Sequence, residues 1–148
     1  MMSPASINTI QRNPLRLHVL VFSSYFDNWR WYLKDLGDQF SKMEDKAMTI
    51  DIRNRAHYDI SFDTLQSLRH VEEKVVPLGA LFRATVEIVD TIAKADAQRR
   101  LESQDVTSGN LTDCLASYTS QCRGHIASEE ILQKRIRGIL ELVCGFMN

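Results

Sequence analysis

The chain is short of the features that announce the common chemistries. It has three cysteines, Cys114, Cys122 and Cys144, all near its C-terminal end. An odd count on one helical stretch, with no secretory signal ahead of it, argues against a disulfide framework and for a reducing, cytoplasmic setting. Neither sign of charge dominates. Eighteen Lys and Arg stand against 19 Asp and Glu, for a formal net charge of -1. These charges are mixed along the chain, so no basic stripe is present for a nucleic-acid backbone to follow. No apolar run approaches the roughly 18 residues of a membrane-spanning helix. The best candidate, Gly138 to Met147, is short and carries Glu141. A glycine-rich phosphate loop, a nucleophile elbow, a paired-cysteine metal motif, internal repeats and low-complexity tracts are all missing. No convergent acid, base and nucleophile set can be named, so the reading is non-enzymatic.

Acid is also lacking at the N-terminus. Met1 to Phe26 holds no Asp or Glu but has Arg12, Arg16 and several serines, a faint likeness to an organelle presequence. The plainer reading is a disordered lead-in over residues 1–14, with Pro4 and then Asn13-Pro14 running into a helix start. A single helical domain is expected over 15–148. Leu15, Leu17, Val19 and Val21 alternate as in a strand, but one short strand has nothing to pair with, so helix is expected there too.

What the chain does have is helical periodicity. Hydrophobic residues make up 44% of 148 residues, enough for one modest core or for a few long helices that need a partner. Tyr25, Trp29, Tyr32, Leu36, Phe40, Met43 and Ala47 form a stripe at helical spacing, with Lys34 and Asp38 paired off it. Gly37 would admit a neighbouring helix, and Trp31, off the stripe, suggests a second packing face or an exposed contact. Thr49 to Ile60 reads as a polar connection, and Ser61 as the cap of the next helix. That helix carries Phe62, Leu65, Leu68, Val71, Val75, Leu78, Phe82, Val86, Val89 and Ala93. Pro77 removes a backbone bond inside it, so it kinks or splits near Glu73 to Pro77, with Gly79 and Ala80 leaving room for a close crossing. Ala95 to Leu111 is polar, ends in turn residues and reads as a loop.

The last quarter is the most regular part. Leu111, Leu115, Tyr118, Cys122, His125, Glu129, Leu132, Ile136, Ile139, Val143 and Phe146 follow one another in alternating steps of four and three. They form one seam along a helix of about 54 Å at 1.5 Å per residue, capped by Asn110 or Thr112. So long a helix exceeds what a compact domain of this size buries, so part of the seam is expected to meet another chain.

Two polar residues, His125 and Glu129, interrupt the seam next to Cys122. Cys122, His125 and Glu129 are all possible metal ligands, and spacings of three and four bring them to one face. A closed site needs a fourth ligand, and His18, His57 and His70 are scattered. The plainer reading is a His125–Glu129 pair that sets register in a helix bundle. Glu72-Glu73 and Glu129-Glu130 point about 100° apart as helix neighbours and read as solvated faces. Lys134, Arg135 and Arg137 suggest either contact with an anionic membrane or cations complementing the helix end.

Several segments together resemble the soluble part of fungal CorA-like proteins, relatives of divalent-cation transporters. They are Tyr25-Phe26-Asp27-Asn28-Trp29-Arg30-Trp31-Tyr32-Leu33, then Ile60 to Leu68 with Glu72-Glu73-Lys74, and lastly Ser128 to Val143. The resemblance implies a cytoplasmic helical region whose last helix leads toward a membrane hairpin. The family's Gly-Met-Asn signature is matched only by Gly145-Phe146-Met147-Asn148, with an inserted phenylalanine and no preceding membrane helix. Without that hairpin the chain is not expected to transport ions itself.

The expected fold is therefore all-α, an elongated, coiled-coil-like bundle of three to four long helices. The expected function is a helical oligomerisation or interaction domain, self-associating through the final seam and taking no cofactor. The alternative is a metal-responsive module that binds a divalent cation between subunits through Cys122, His125 and Glu129.

Overall fold

The computed structural model describes residues 14–48, 58–103 and 109–147. Those residues form helices α1 (Arg16–Met48), α2 (Tyr58–Val75), α3 (Leu78–Ser103) and α4 (Gly109–Met147). The fold is an all-α bundle, and no strand occurs among the described residues. Residues 1–13 of the expected lead-in, and 49–57 and 104–108 of the two expected connections, lie outside the described part.

Arg16 to Phe22 is helical, as its lack of a strand partner required, with Leu15 in the turn just ahead. Pro14 stands just ahead of α1, and its carbonyl accepts the Leu17 amide at 3.1 Å, which closes the entry turn. At Pro77 the long second segment does split. The Val76 amide still reaches the Glu72 carbonyl at 2.9 Å, and the Leu81 amide reaches Pro77 at 3.1 Å. The missing proline N–H falls between these bonds, so α2 and α3 form one bent column.

Two expected boundaries move. α2 starts at Tyr58, so Ser61 lies inside its first turn and is not its cap. α3 continues through Arg99 and Arg100 to Ser103, where a loop was expected. Ala95 to Glu102 is built of good helix formers apart from Asp96, and pairs four residues apart support it. Asp96 meets Arg100 at 2.7 Å, and Gln98 donates to Glu102 at 2.9 Å.

α4 is the spine, packing against each of the other three helices. Tyr118 lies against Phe22 and Phe26 of α1, while Arg135, farther along α4, pairs with Glu44. α1 and α4 are therefore parallel. The α2–α3 column runs the other way, since Thr119 meets Asp90 and Arg100 reaches Thr112. One core joins Leu36 and Phe40 of α1, Val71 and Val75 of α2, and Ile136 and Val143 of α4. A second, smaller core joins Val89 and Ile92 to Leu111 and Leu115, closed by Leu15, Val19 and Phe22.

Every seam position of α4 from Leu111 to Val143 is buried or half-buried, and the side chain of Phe146 lies outside the described part. This changes the expectation that the seam needs another chain. The bent α2–α3 column, together with α1, is long enough to cover a 39-residue helix from two sides.

Candidate functional site

Between the two cores lies the one stretch of the α4 seam that departs from plain hydrocarbon, with Cys122, His125 and Glu129 one turn apart. The seam's helical spacing turns all three inward. Cys122 is fully buried and Glu129 is 3% exposed, while His125 is half-buried. Glu129 is thus not the solvated carboxylate its neighbour Glu130 suggested. The two point apart as helix neighbours must, and only Glu130 faces water.

The break at Pro77 prepares the opposite wall. It starts α3 at Leu78 and sets Gly79 in the first turn, directly against Glu129. A Cβ at Gly79 would lie 2.7 Å from Oε2 of Glu129 and 3.0 Å from Nη2 of Arg83. The α4 carboxylate occupies the place of a side chain here, so a larger residue at 79 would have to displace the Glu129 carboxylate. A carboxylate at a helix first turn also meets the positive end of the peptide dipoles. The other expected close approaches do not occur: Gly37 faces nothing within 4 Å, and Ala80 is exposed.

An aromatic ladder completes the layer. Phe82 of α3 takes the edge of Trp29 at 5.1 Å and the ring of His125 at 5.3 Å. Trp29 meets Tyr25 at 5.7 Å, and the Tyr25 hydroxyl lies 3.3 Å from the Thr85 hydroxyl. Phe26 stacks flat on Tyr118 at 4.9 Å, and the Tyr118 hydroxyl donates to the Val19 carbonyl at 3.1 Å. Such pairs add about 0.5–1.5 kcal/mol each beyond their buried area.

Burial disfavours the charged form of each titratable group in the layer. Burial pushes the Cys122 thiol up to about 11, so the free thiol stays protonated near neutral pH. Burial lowers the proton affinity of His125, and its Nε2 has no hydrogen-bond partner among the described residues. Burial raises Glu129, with the Arg83 guanidinium opposing the rise. Among the described residues no three His, Cys, Asp or Glu side chains are placed to hold a metal ion. Helical spacing puts Cys122, His125 and Glu129 on one face, but His125 and Glu129 each meet a different part of α3. His125 lies against Phe82, and Glu129 against Gly79 and Arg83.

Elsewhere the structure corrects the reading of single residues. Trp31 is 60% exposed, with the Arg30 guanidinium 5.3 Å from its ring, so it is not a second packing face. The cations of α4 do not end the helix, which has no basic residue in its last turn. Arg135 instead covers the Phe40 ring at 4.9 Å while pairing with Glu44. Glu72 is held by Arg69 at 2.8 Å, and Phe62, expected on the stripe, is exposed. Asp96, buried with Arg100, was hidden inside a stretch that read as loop; its only sequence signal was the four-residue spacing to Arg100. A shallow groove of about 280 Å³ between α2 and α4 is lined by Arg69, Glu72, Arg137, Leu140, Glu141 and Cys144, its charges balanced. No helix among the described residues is long and apolar enough to cross a membrane. No family model, curated protein or solved structure matches the chain.

Proposed function

We propose that the chain is a non-enzymatic helical interaction domain whose activity is association with other helices, a second copy of itself being the expected partner. The observation that carries this reading is the distribution of large apolar side chains. The α4 seam is spent inside the chain, yet Trp31, Ile88, Leu101 and Ile131 remain more than half exposed on outer helix faces. Large apolar side chains left exposed on helix faces supply contacts for a partner helix where they lie together. The resemblance of Tyr25 to Leu33 and its companion segments to the cytoplasmic helices of CorA-like proteins belongs to the same proposal. Two apolar runs in the coding sequence beyond Asn148 would support that part of it, and their absence would count against it.

Sedimentation velocity from low to high micromolar concentration tests the association. A mass that rises above 17.0 kDa supports it, and a monomer at every concentration overturns it. The metal-responsive alternative is tested by thermal shift with zinc and with magnesium. The interaction reading expects no rise in Tm with either ion. A saturable rise that is lost in His125→Ala would favour the metal reading instead.

A further inference from the structure

We propose that the outer face of α3 is where a second copy docks, antiparallel and across a two-fold axis near Asp90. The inference rests on the association reading above and names the surface that reading leaves open. Leu78, Phe82, Thr85, Val89, Ile92 and Asp96 point inward from α3 and are buried. About a quarter turn round the helix, Leu81, Ala84, Ile88, Thr91, Ala95 and Gln98 follow in alternating steps of three and four, and all are exposed. This is a second heptad seam, uncharged for its whole length of roughly 25 Å at 1.5 Å per residue. Its two polar members are already engaged within the helix. The Thr91 hydroxyl donates to the Glu87 carbonyl at 2.7 Å, and the Gln98 amide donates to Glu102 at 2.9 Å. Ile88 is 54% exposed, and the alanines at 84 and 95 allow two helices to approach closely.

The row beside the seam identifies the occupant. Ala80, Glu87, Lys94 and Leu101 recur every seventh residue and are all exposed, Leu101 at 80%. In an antiparallel coiled coil, flanking positions of this kind face their own kind on the other helix. Reversing this row about its centre sets Glu87 against Lys94 of the second copy, and Lys94 against Glu87. It also sets Leu101 over the small Ala80. The row is its own complement under a two-fold axis, as an isologous interface requires. A parallel pair gains neither contact, because the flank it would use, Thr85 and Ile92, is buried in the core. Asp90 is turned toward α4, where it accepts from Thr119, and does not enter the contact.

The test is sedimentation velocity on the full chain and four variants. Ile88→Glu, Glu87→Lys and Lys94→Glu are each expected to weaken association about tenfold or more, the last two by setting like charges face to face twice. The double variant Glu87→Lys with Lys94→Glu rebuilds the pairs with signs exchanged and is expected to recover most of the wild-type affinity. That recovery also shows that the single variants were folded. A dimer indifferent to Ile88→Glu, or a double variant no better than the singles, overturns the α3 surface while association itself stands. A wild-type chain that is monomeric throughout overturns both.

Discussion

Glu129 and Gly79 act as one unit, because the carboxylate of one occupies the space a side chain would need at the other. Replacing Gly79 by Ala ordinarily gains about 1 kcal/mol of helix propensity. Here the new methyl meets a buried carboxylate, so in the wild-type chain the gain should vanish or reverse. In a Glu129→Ala background it should return. A double-mutant cycle by urea denaturation is expected to give a coupling of about 1 kcal/mol or more. Protonation divides the same layer. Burial holds His125 below its ordinary value of 6.5, so below that pH the unfolded chain binds the extra proton and stability falls as pH drops. Glu129 has the opposite sign. Its folded value lies above 4.5, so its contribution falls as pH rises from there, and the loss is complete above the raised value. Thermal melts should therefore show two trends. The wild-type Tm should fall more than that of His125→Gln between about pH 7 and pH 5.5. The advantage of Glu129→Gln over wild type should be largest at neutral pH and shrink toward about pH 4.5.

α4 shows at the scale of an element how a regular seam sorts side chains. Ile136 is fully buried and Ile131, five residues earlier, is 62% exposed. Ile136→Ala should cost about 2–5 kcal/mol by the cavity it leaves. Ile131→Ala should stay within about 0.5 kcal/mol, read by the same urea midpoint. Ile136→Glu would place a charge in the core, so its effect would be on folding before association. The seam was legible because a strict alternation of four and three keeps one face of a helix inward whatever covers it. The α1 stripe was legible for the same reason, although Phe26 proved a deeper member than Tyr25 or Tyr32. What failed was judgement of ends and of polar stretches. Arg99, Arg100 and Asp96 read as loop because polar residues dominate there. The arginines are good helix formers, and the buried Asp96 pairs with a half-buried Arg100 four residues on, which composition does not distinguish from a solvated run.

For the molecule as a whole, association through α3 would couple stability to concentration. The wild-type Tm should rise with protein concentration, since a dimer adds mass-action stabilisation to the folded state. In Ile88→Glu it should not. Scanning calorimetry at two concentrations tenfold apart reads this directly.

The sequence by itself determined that the chain is all-α, where its longest helix lies, that Pro77 interrupts the middle segment, and that Cys122, His125 and Glu129 share a face. All of these follow from periodicity and backbone chemistry, which act over a few residues. Only the tertiary structure decided what the shared face meets. The same spacing suits a partner chain, a metal ion or the chain's own α2–α3 column, and the choice depends on contacts between residues as far apart as Gly79 and Glu129. Covering the seam from within also decided which surfaces are left outside. The outer face of α3 carries a heptad spacing as regular as the one that is buried, but its smaller and more polar side chains leave it the weaker claim on the core.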